Sequence, residues 1–324
     1  MTLTRRSTLL AGAAALAGPA LAQSARNGTR LLVGFPPGGT ADVLARALQP
    51  LLQAKRGETV IVENKPGAGG RLGVAELKAS PADGRTVMVS ADPILTIYPH
   101  VFRNLTYNTA TDILPLLPIA SEAVGLCVGP MVPASVHTLA DFLAWAKANP
   151  KLASYTTAAA GTTMHFVGSQ LVHASGVDLL HVPHRGGAAA VQDVMGGQIA
   201  STMTSMSLAM PHLSSGKLRA LAVTGTARGR RLPDVPTFVE LGYKAITAPV
   251  YYGSYLRAGT PAALVAPWVE AVSAAAQSPE VSTLLDKLSL DPFHLSHDAF
   301  VARVRADLER WGPIVKATGY SADD

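Results

Sequence analysis

From residue 30 onward the chain alternates short apolar runs with longer stretches whose apolar residues recur every three or four positions. The short runs predict strands at Arg30–Phe35, Thr59–Glu63, Thr86–Ser90, Gly125–Val128, Ser154–Thr157, Leu179–Pro183, Ile199–Thr204, Leu218–Thr224 and Val250–Leu256. Many are apolar on both faces, as buried parallel strands are. Helical periodicity falls between them, at Ala41–Leu52, Gly70–Lys78, Thr138–Ala148, Thr163–His173 and Ala188–Met195. This alternation predicts an α/β protein built on parallel sheets. The chain closes differently, with consecutive helices at Ala262–Ala276, Pro279–Leu288 and His297–Ala317. Pro50 falls inside the first helical pattern and is expected to end or kink it. No low-complexity linker and no repeat divides the chain. Passages between two domains are expected near residues 119–126 and 245–250.

The first residues read as a leader. Arg5-Arg6 precede an apolar run from Leu9 to Leu21, and Ala20-Leu21-Ala22 supplies a small-residue cleavage site before Gln23. The run is shorter than the roughly 20 residues a membrane span needs. Residues 1–22 are expected to be removed on export, by the general or the twin-arginine route. The mature chain is expected in the periplasm, as a monomer.

Composition narrows the chemistry. A single cysteine, Cys127, excludes an intramolecular disulfide. The formal charge is +5 at pH 7, and removing Arg5 and Arg6 leaves +3. The basic residues are scattered, so no nucleic-acid surface is indicated. A small positive excess suits an anionic ligand. There is no P-loop, no G-x-S-x-G elbow, no H-E-x-x-H and no C-x-x-C. Gly67 to Gly73 imitates a dinucleotide fingerprint, but its last glycine falls one position late. His181 and His184 flank Val182-Pro183 at a strand end, where their rings would not share a face, so no metal or cofactor is expected. Cys127 lies in an apolar run and reads as a small buried hydrophobe.

Four turns remain, each following a predicted strand and opening a predicted helix. They are Gly34–Thr40, Pro66–Gly70, Ala160–Thr163 and Arg185–Gly187. A helix N-terminus presents unpaired N–H groups at a positive dipole end, and glycine lets an anion approach them. In open α/β sheets, ligands sit at the carboxyl ends of the strands. The hydroxyls of Thr40, Thr162 and Thr163 are also natural helix caps. Asp42 and Arg46 are expected to hold the first turn and its helix. Arg185 either clamps a carboxylate or lies solvated.

The ordered motifs resemble a known family. Phe35–Arg46 (FPPGGTADVLAR), Glu63–Gly70 (ENKPGAGG), Pro81–Val87, Ala160–His165 (AGTTMH), Val182–Gly187 (VPHRGG), Gly196–Ile199, Gly216–Thr224, Leu232–Gly242 and Trp311-Gly312 are similar to the Bug, or TctC-like, proteins. These are the periplasmic solute-binding components of tripartite tricarboxylate transporters. The resemblance covers residues 28–320. It implies a periplasmic-binding-protein fold of two α/β lobes, each a mostly parallel sheet flanked by helices, closing on a ligand between them. It implies residues 23–122 plus 248–324 for one lobe and 123–247 for the other. The implied ligand is a small organic acid, one carboxylate of which is held by backbone amides and water from facing turns. The implied partners are the membrane components of such a transporter; presentation of the ligand to a periplasmic sensor is the alternative, and an enzyme is not expected. The expected ligand contacts are Phe35, Pro36, Gly38, Gly39, Thr40, Asp92, Gly161, Thr162, Thr163, His165, Arg185, Gly186, Gly187, Thr204 and Tyr251.

The chain departs from the family pattern in places that bear on the ligand. No carboxylate follows Gly197-Gln198 through Ser205, which argues against an amino-acid ligand. His184 stands where an aromatic is frequent, and Tyr251-Tyr252-Gly253 where a Trp often precedes the glycine. Asp92-Pro93 would place an acid near the cleft.

Overall fold

The computed structural model describes residues 28–184 and 186–322. The expected leader and Arg185 lie outside them. In chain order, β1 (Thr29–Val33) leads to α1 (Thr40–Arg56) and β2 (Val60–Asn64) to α2 (Arg71–Ala79). β3 (Thr86–Ala91) leads to the short helices α3 (Pro93–Thr96), α4 (Tyr98–Val101) and α5 (Thr109–Asp112). β4 (Ile113–Glu122) and β5 (Val124–Val128) follow, separated only by Ala123. Next come α6 (Leu139–Ala148), β6 (Ser154–Thr157), α7 (Thr163–Ser175), β7 (Leu180–Pro183), α8 (Gly187–Met195), β8 (Ser201–Ser205), α9 (Met206–Ser214) and β9 (Arg219–Val223). The chain ends with β10 (Val250–Arg257), α10 (Ala262–Ala276), α11 (Pro279–Leu288), β11 (Asp291–Pro292) and α12 (His297–Thr318).

These strands form two sheets, ordered β11-β4-β10-β3-β1-β2 and β7-β6-β8-β5-β9. The chain leaves the first sheet at Ala123 and rejoins it at Val250. Both sheets are mixed rather than mostly parallel. β1 pairs in parallel with β2 and β3, and β6 with β7 and β8. The strands that carry the chain between sheets, β4, β5 and β10, run antiparallel to their neighbours. In the first sheet β10, by which the chain returns, runs opposite to β1, β3 and β4.

Three features differ from the sequence expectations. β4 is an interior strand although it contains Pro115 and Pro118, which argue against one. Pro118 sits opposite Gly253 and Pro115 opposite Tyr255, beside two register shifts in the β4–β10 pairing. There the ladder lacks the N–H groups that proline cannot supply; between the two prolines, the Ser254 hydroxyl accepts from the Leu117 amide at 3.3 Å and donates to its carbonyl at 2.9 Å. Second, Pro50 neither ends nor divides α1, which runs on to Arg56. Its solvent-facing position leaves the orphaned carbonyl to water. Third, α9, with a proline at Pro211, was not anticipated.

The first turn is packed against the second. An added Cβ at Gly73 would lie 2.6 Å from the Gly34 Cα, and one at Gly34 would lie 2.8 Å from the Gly70 carbonyl oxygen. Both obstacles are backbone, so neither yields cheaply. The glycines that imitated a dinucleotide fingerprint thus let two strand–helix turns touch. Gly73→Ala should lower stability by about 1–3 kcal/mol, the usual cost of overpacking. An unchanged denaturation midpoint would contradict this packing role.

Candidate functional site

The first turn is fixed by its own polar groups. The Asp42 carboxylate accepts from the Gly38 amide at 2.8 Å, from Arg46 Nε at 2.9 Å and from Asn64 Nδ2 at 2.9 Å. Asn64 also donates to the Phe35 carbonyl at 3.1 Å. Burial pushes the Asp42 carboxyl up, but the donors Arg46, Gly38 and Asn64 outweigh it and hold it below the usual range. Asp42 and Arg46 therefore brace the turn, as the sequence suggests.

This arrangement changes which amides a ligand could use. Gly38 adopts φ +87°, a left-handed conformation that favours glycine, and its N–H is committed to Asp42. Gly39 is the N-cap of α1 and no side chain caps the helix. Its carbonyl accepts the first helical bond, from Val43. The N–H groups of Thr40 and Ala41 precede that bond and have no acceptor among the described residues. A cavity of about 350 Å³ opens beside them, lined by Phe35, Pro36, Pro37, Gly39, Thr40, Ala41, Ala91 and Tyr252. Of the expected contacts, Phe35, Pro36, Gly39 and Thr40 meet there.

Asp92 and Tyr251 take another position. Asp92 is 3% exposed. Its Oδ1 accepts from the Tyr251 amide at 2.9 Å, its own amide donates to the Tyr251 carbonyl at 2.9 Å, and Oδ2 accepts from Thr96 Oγ1 at 3.1 Å. The Tyr251 ring is buried against Phe293 and Phe300. Successive side chains of a strand face opposite ways, so it is Tyr252 that meets the cavity. A strand apolar on both faces gave no sign of which tyrosine would do so. Tyr252 in turn donates to Glu122 Oε1 at 3.1 Å.

The turns of the second sheet are partly self-satisfied. The Gly161 amide donates to His165 Nδ1 at 3.1 Å. Thr162 caps α7, accepting from the His165 amide, and donates to the Ala159 carbonyl at 2.9 Å. The Thr163 hydroxyl is buried without a partner among the described residues. The Gly186 amide donates to the Ala158 carbonyl at 2.8 Å, which leaves the Gly187 and Ala188 N–H groups at the start of α8 with no acceptor among the described residues. Thr204 is buried in β8 opposite Gly125. None of these residues lines the cavity of the first turn. The Gly161 loop does reach the first sheet's side: a Cβ there would lie 3.0 Å from Tyr320 and 3.4 Å from Val101.

His165 belongs to a different hollow, a groove of about 1020 Å³ between α7, the loop around Tyr243 and the end of α12. Its ring stacks on His181 at 4.2 Å, and burial pushes both imidazoles down to about 4. His184 is held by Asp193 at 2.6 Å and Thr156 at 2.7 Å. No group of three His, Cys, Asp or Glu side chains placed to hold a metal occurs among the described residues. Cys127 is buried, and its thiol is pushed up to about 12 by that burial.

A sequence model of the tripartite tricarboxylate transporter family receptor matches residues 44–320. The chain belongs to this family. BugT of Bordetella pertussis is 28% identical over 291 residues, covering 90% of this chain and 89% of BugT. An R. palustris protein solved with adipate has a TM-score of 0.77 at 28% identity, covering 91% of this chain and 98% of that one. MatC from Rhodopseudomonas palustris, solved with bound malate, has a TM-score of 0.74 at 25% identity, covering 89% and 98%. The family receptor is a periplasmic solute-binding protein and not an enzyme. The two flanked sheets of this receptor are the periplasmic-binding-protein fold.

Proposed function

We propose that the chain captures a small organic carboxylate at the first turn and delivers it to the membrane components of a tripartite tricarboxylate-type transporter. The observation that carries this reading is the pair of unclaimed amides at Thr40 and Ala41, opening on a cavity at the N-terminus of a 17-residue helix. Such a terminus favours negative charge. A hydrogen bond to a charged group contributes about 1.5–3 kcal/mol, so a few amides hold a carboxylate without an arginine clamp. The adipate and malate in two solved relatives support an acid ligand.

The two sheets serve as the cores of two lobes, residues 23–122 plus 248–324 and residues 123–247, with the mature protein in the periplasm after loss of residues 1–22. Hinge closure brings the Gly187 and Ala188 amides and the Thr163 hydroxyl towards the ligand, and the ligand shifts the open–closed population. Gly38 and Gly161 position these turns rather than touch the ligand, because their amides are already used. Calorimetry against mono-, di- and tricarboxylates tests the reading. At least one acid should bind with a Kd of about 1 μM or tighter, near −8 kcal/mol. Failure of the whole panel would contradict it, and turnover of a bound acid would contradict a binding role.

A further inference from the structure

Glu122 lies at the end of β4, one residue before the chain crosses between the sheets, and is buried. One carboxylate oxygen accepts from the Tyr252 hydroxyl at 3.1 Å. The other accepts from the Ser207 hydroxyl, in the first turn of α9 on the second sheet. The Ser205 side chain and the Ser207 amide also donate to it. On its far side, Tyr252 lines the cavity of the first turn together with Thr40. Hydrogen bonds therefore link a residue that lines the cavity of the first turn to an acid at the crossing, and that acid to the second sheet's α9.

Tyr252 has a single hydroxyl proton. While Glu122 is ionised, that proton is committed to Glu122 and the phenol offers the cavity only lone pairs. A ligand carboxylate placed there would face an acceptor, with a second buried negative charge behind it. We propose that carboxylate binding at the first turn is coupled to protonation of Glu122 through the Tyr252 hydroxyl. One proton comes from solvent and forms an O–H bond on Glu122. That O–H then donates to the Tyr252 oxygen, and the phenol turns its own proton to the ligand. The proton taken up offsets the charge of the one carboxylate group that enters the first turn.

The surroundings suit this role. Burial pushes the Glu122 carboxyl above the ordinary range even though Ser207, Tyr252 and Ser205 hydrogen bond to it. The elements packed around it add little countercharge. On β10 the neighbour is Tyr252, with Asp92 beyond it raising the phenol further. Asp291, on β11 opposite Ser121, faces Arg231 at 3.6 Å. At the first turn Asp42 is paired with Arg46. No cation contacts Glu122 among the described residues.

The inference rests on the carboxylate reading above and is tested with adipate and malate between pH 6.5 and pH 9, where the ligands are essentially ionised. Calorimetry in buffers of differing ionisation enthalpy should show uptake approaching one proton per ligand where unliganded Glu122 is ionised. There, affinity should fall about tenfold per pH unit. E122Q should bind with no uptake and a flat pH profile. Tyr252→Phe, which cuts the link but leaves Glu122 bonded to Ser207 of α9, should bind more weakly and also lose the uptake. Binding without uptake, or uptake retained in both variants, overturns the coupling alone. If neither acid binds, the same measurements are made with the panel acid that does; if no acid of the panel binds, the carboxylate reading fails and the coupling with it. A ligand bearing an ammonium group that binds without uptake and weakens in E122Q would make Glu122 its counter-ion, which also overturns the coupling.

Discussion

Replacing Gly39 with leucine should weaken carboxylate binding at least a hundredfold while the fold stays intact. Gly39 has φ −72° and ψ 160°, a conformation open to any residue. A Cβ there has only the Pro36 carbonyl oxygen nearby, at 3.6 Å. Stability should therefore change by no more than about 0.5 kcal/mol, as at most surface sites. Gly39 lines the cavity beside the Thr40 amide, so a larger side chain fills the space a ligand would use. Losing two charge-assisted hydrogen bonds at about 1.5–3 kcal/mol each corresponds to a hundredfold or more. Calorimetry with the tightest acid, beside a thermal melt, checks both halves. Unchanged affinity with an unchanged melt would move the ligand elsewhere.

Asp92→Asn should stabilise the protein at pH 8 and do little at pH 4. Burial is the main cause that raises the Asp92 carboxyl to about 7; nearby Asp307 adds to it, against the Tyr251 amide, Thr96 and Arg303. The unfolded chain ionises this group near the ordinary 3.8. Between these values the native state holds a proton that the unfolded state has released. Stability from this group therefore falls as pH rises through that window, and the loss is complete above about 7. The full difference corresponds to roughly 4 kcal/mol, an upper figure. His165 and His181, pushed down to about 4, act oppositely, losing stability as pH falls from about 6.5. The informative quantity is thus the difference between variant and wild type. Asparagine keeps an oxygen for the Tyr251 amide, and Thr96 keeps its second bond, to the Asp92 carbonyl. A difference in denaturation midpoint that does not grow between pH 4 and pH 8 would contradict this account.

Much of the architecture was legible because it is periodic. The strand–helix alternation, the three closing helices and the four glycine turns follow from local pattern and turn chemistry. β4 was absent from the predicted strands; Pro115 and Pro118 argue against an interior strand, and register shifts in its pairing with β10 accommodate them. The site was legible at the level of the turn but not of the atom. Asp42 claims the Gly38 amide and His165 the Gly161 amide, four residues on in each case, and the spacing alone does not say which donors remain. Asp92 looked like a cleft acid, yet its carboxylate faces inward to the Tyr251 amide. Glu122 carried no motif at all. Its partners, Tyr252 and Ser207, lie more than 80 positions away and meet only where the two sheets join.

The most direct test of the carboxylate cradle is a crystal structure of the protein with the acid that binds tightest. A ligand carboxylate within hydrogen-bond distance of the Thr40 and Ala41 amides, with Tyr252 alongside, is the expected result. A carboxylate lodged in the groove beside His165 and Tyr243, with the first turn empty, would contradict it.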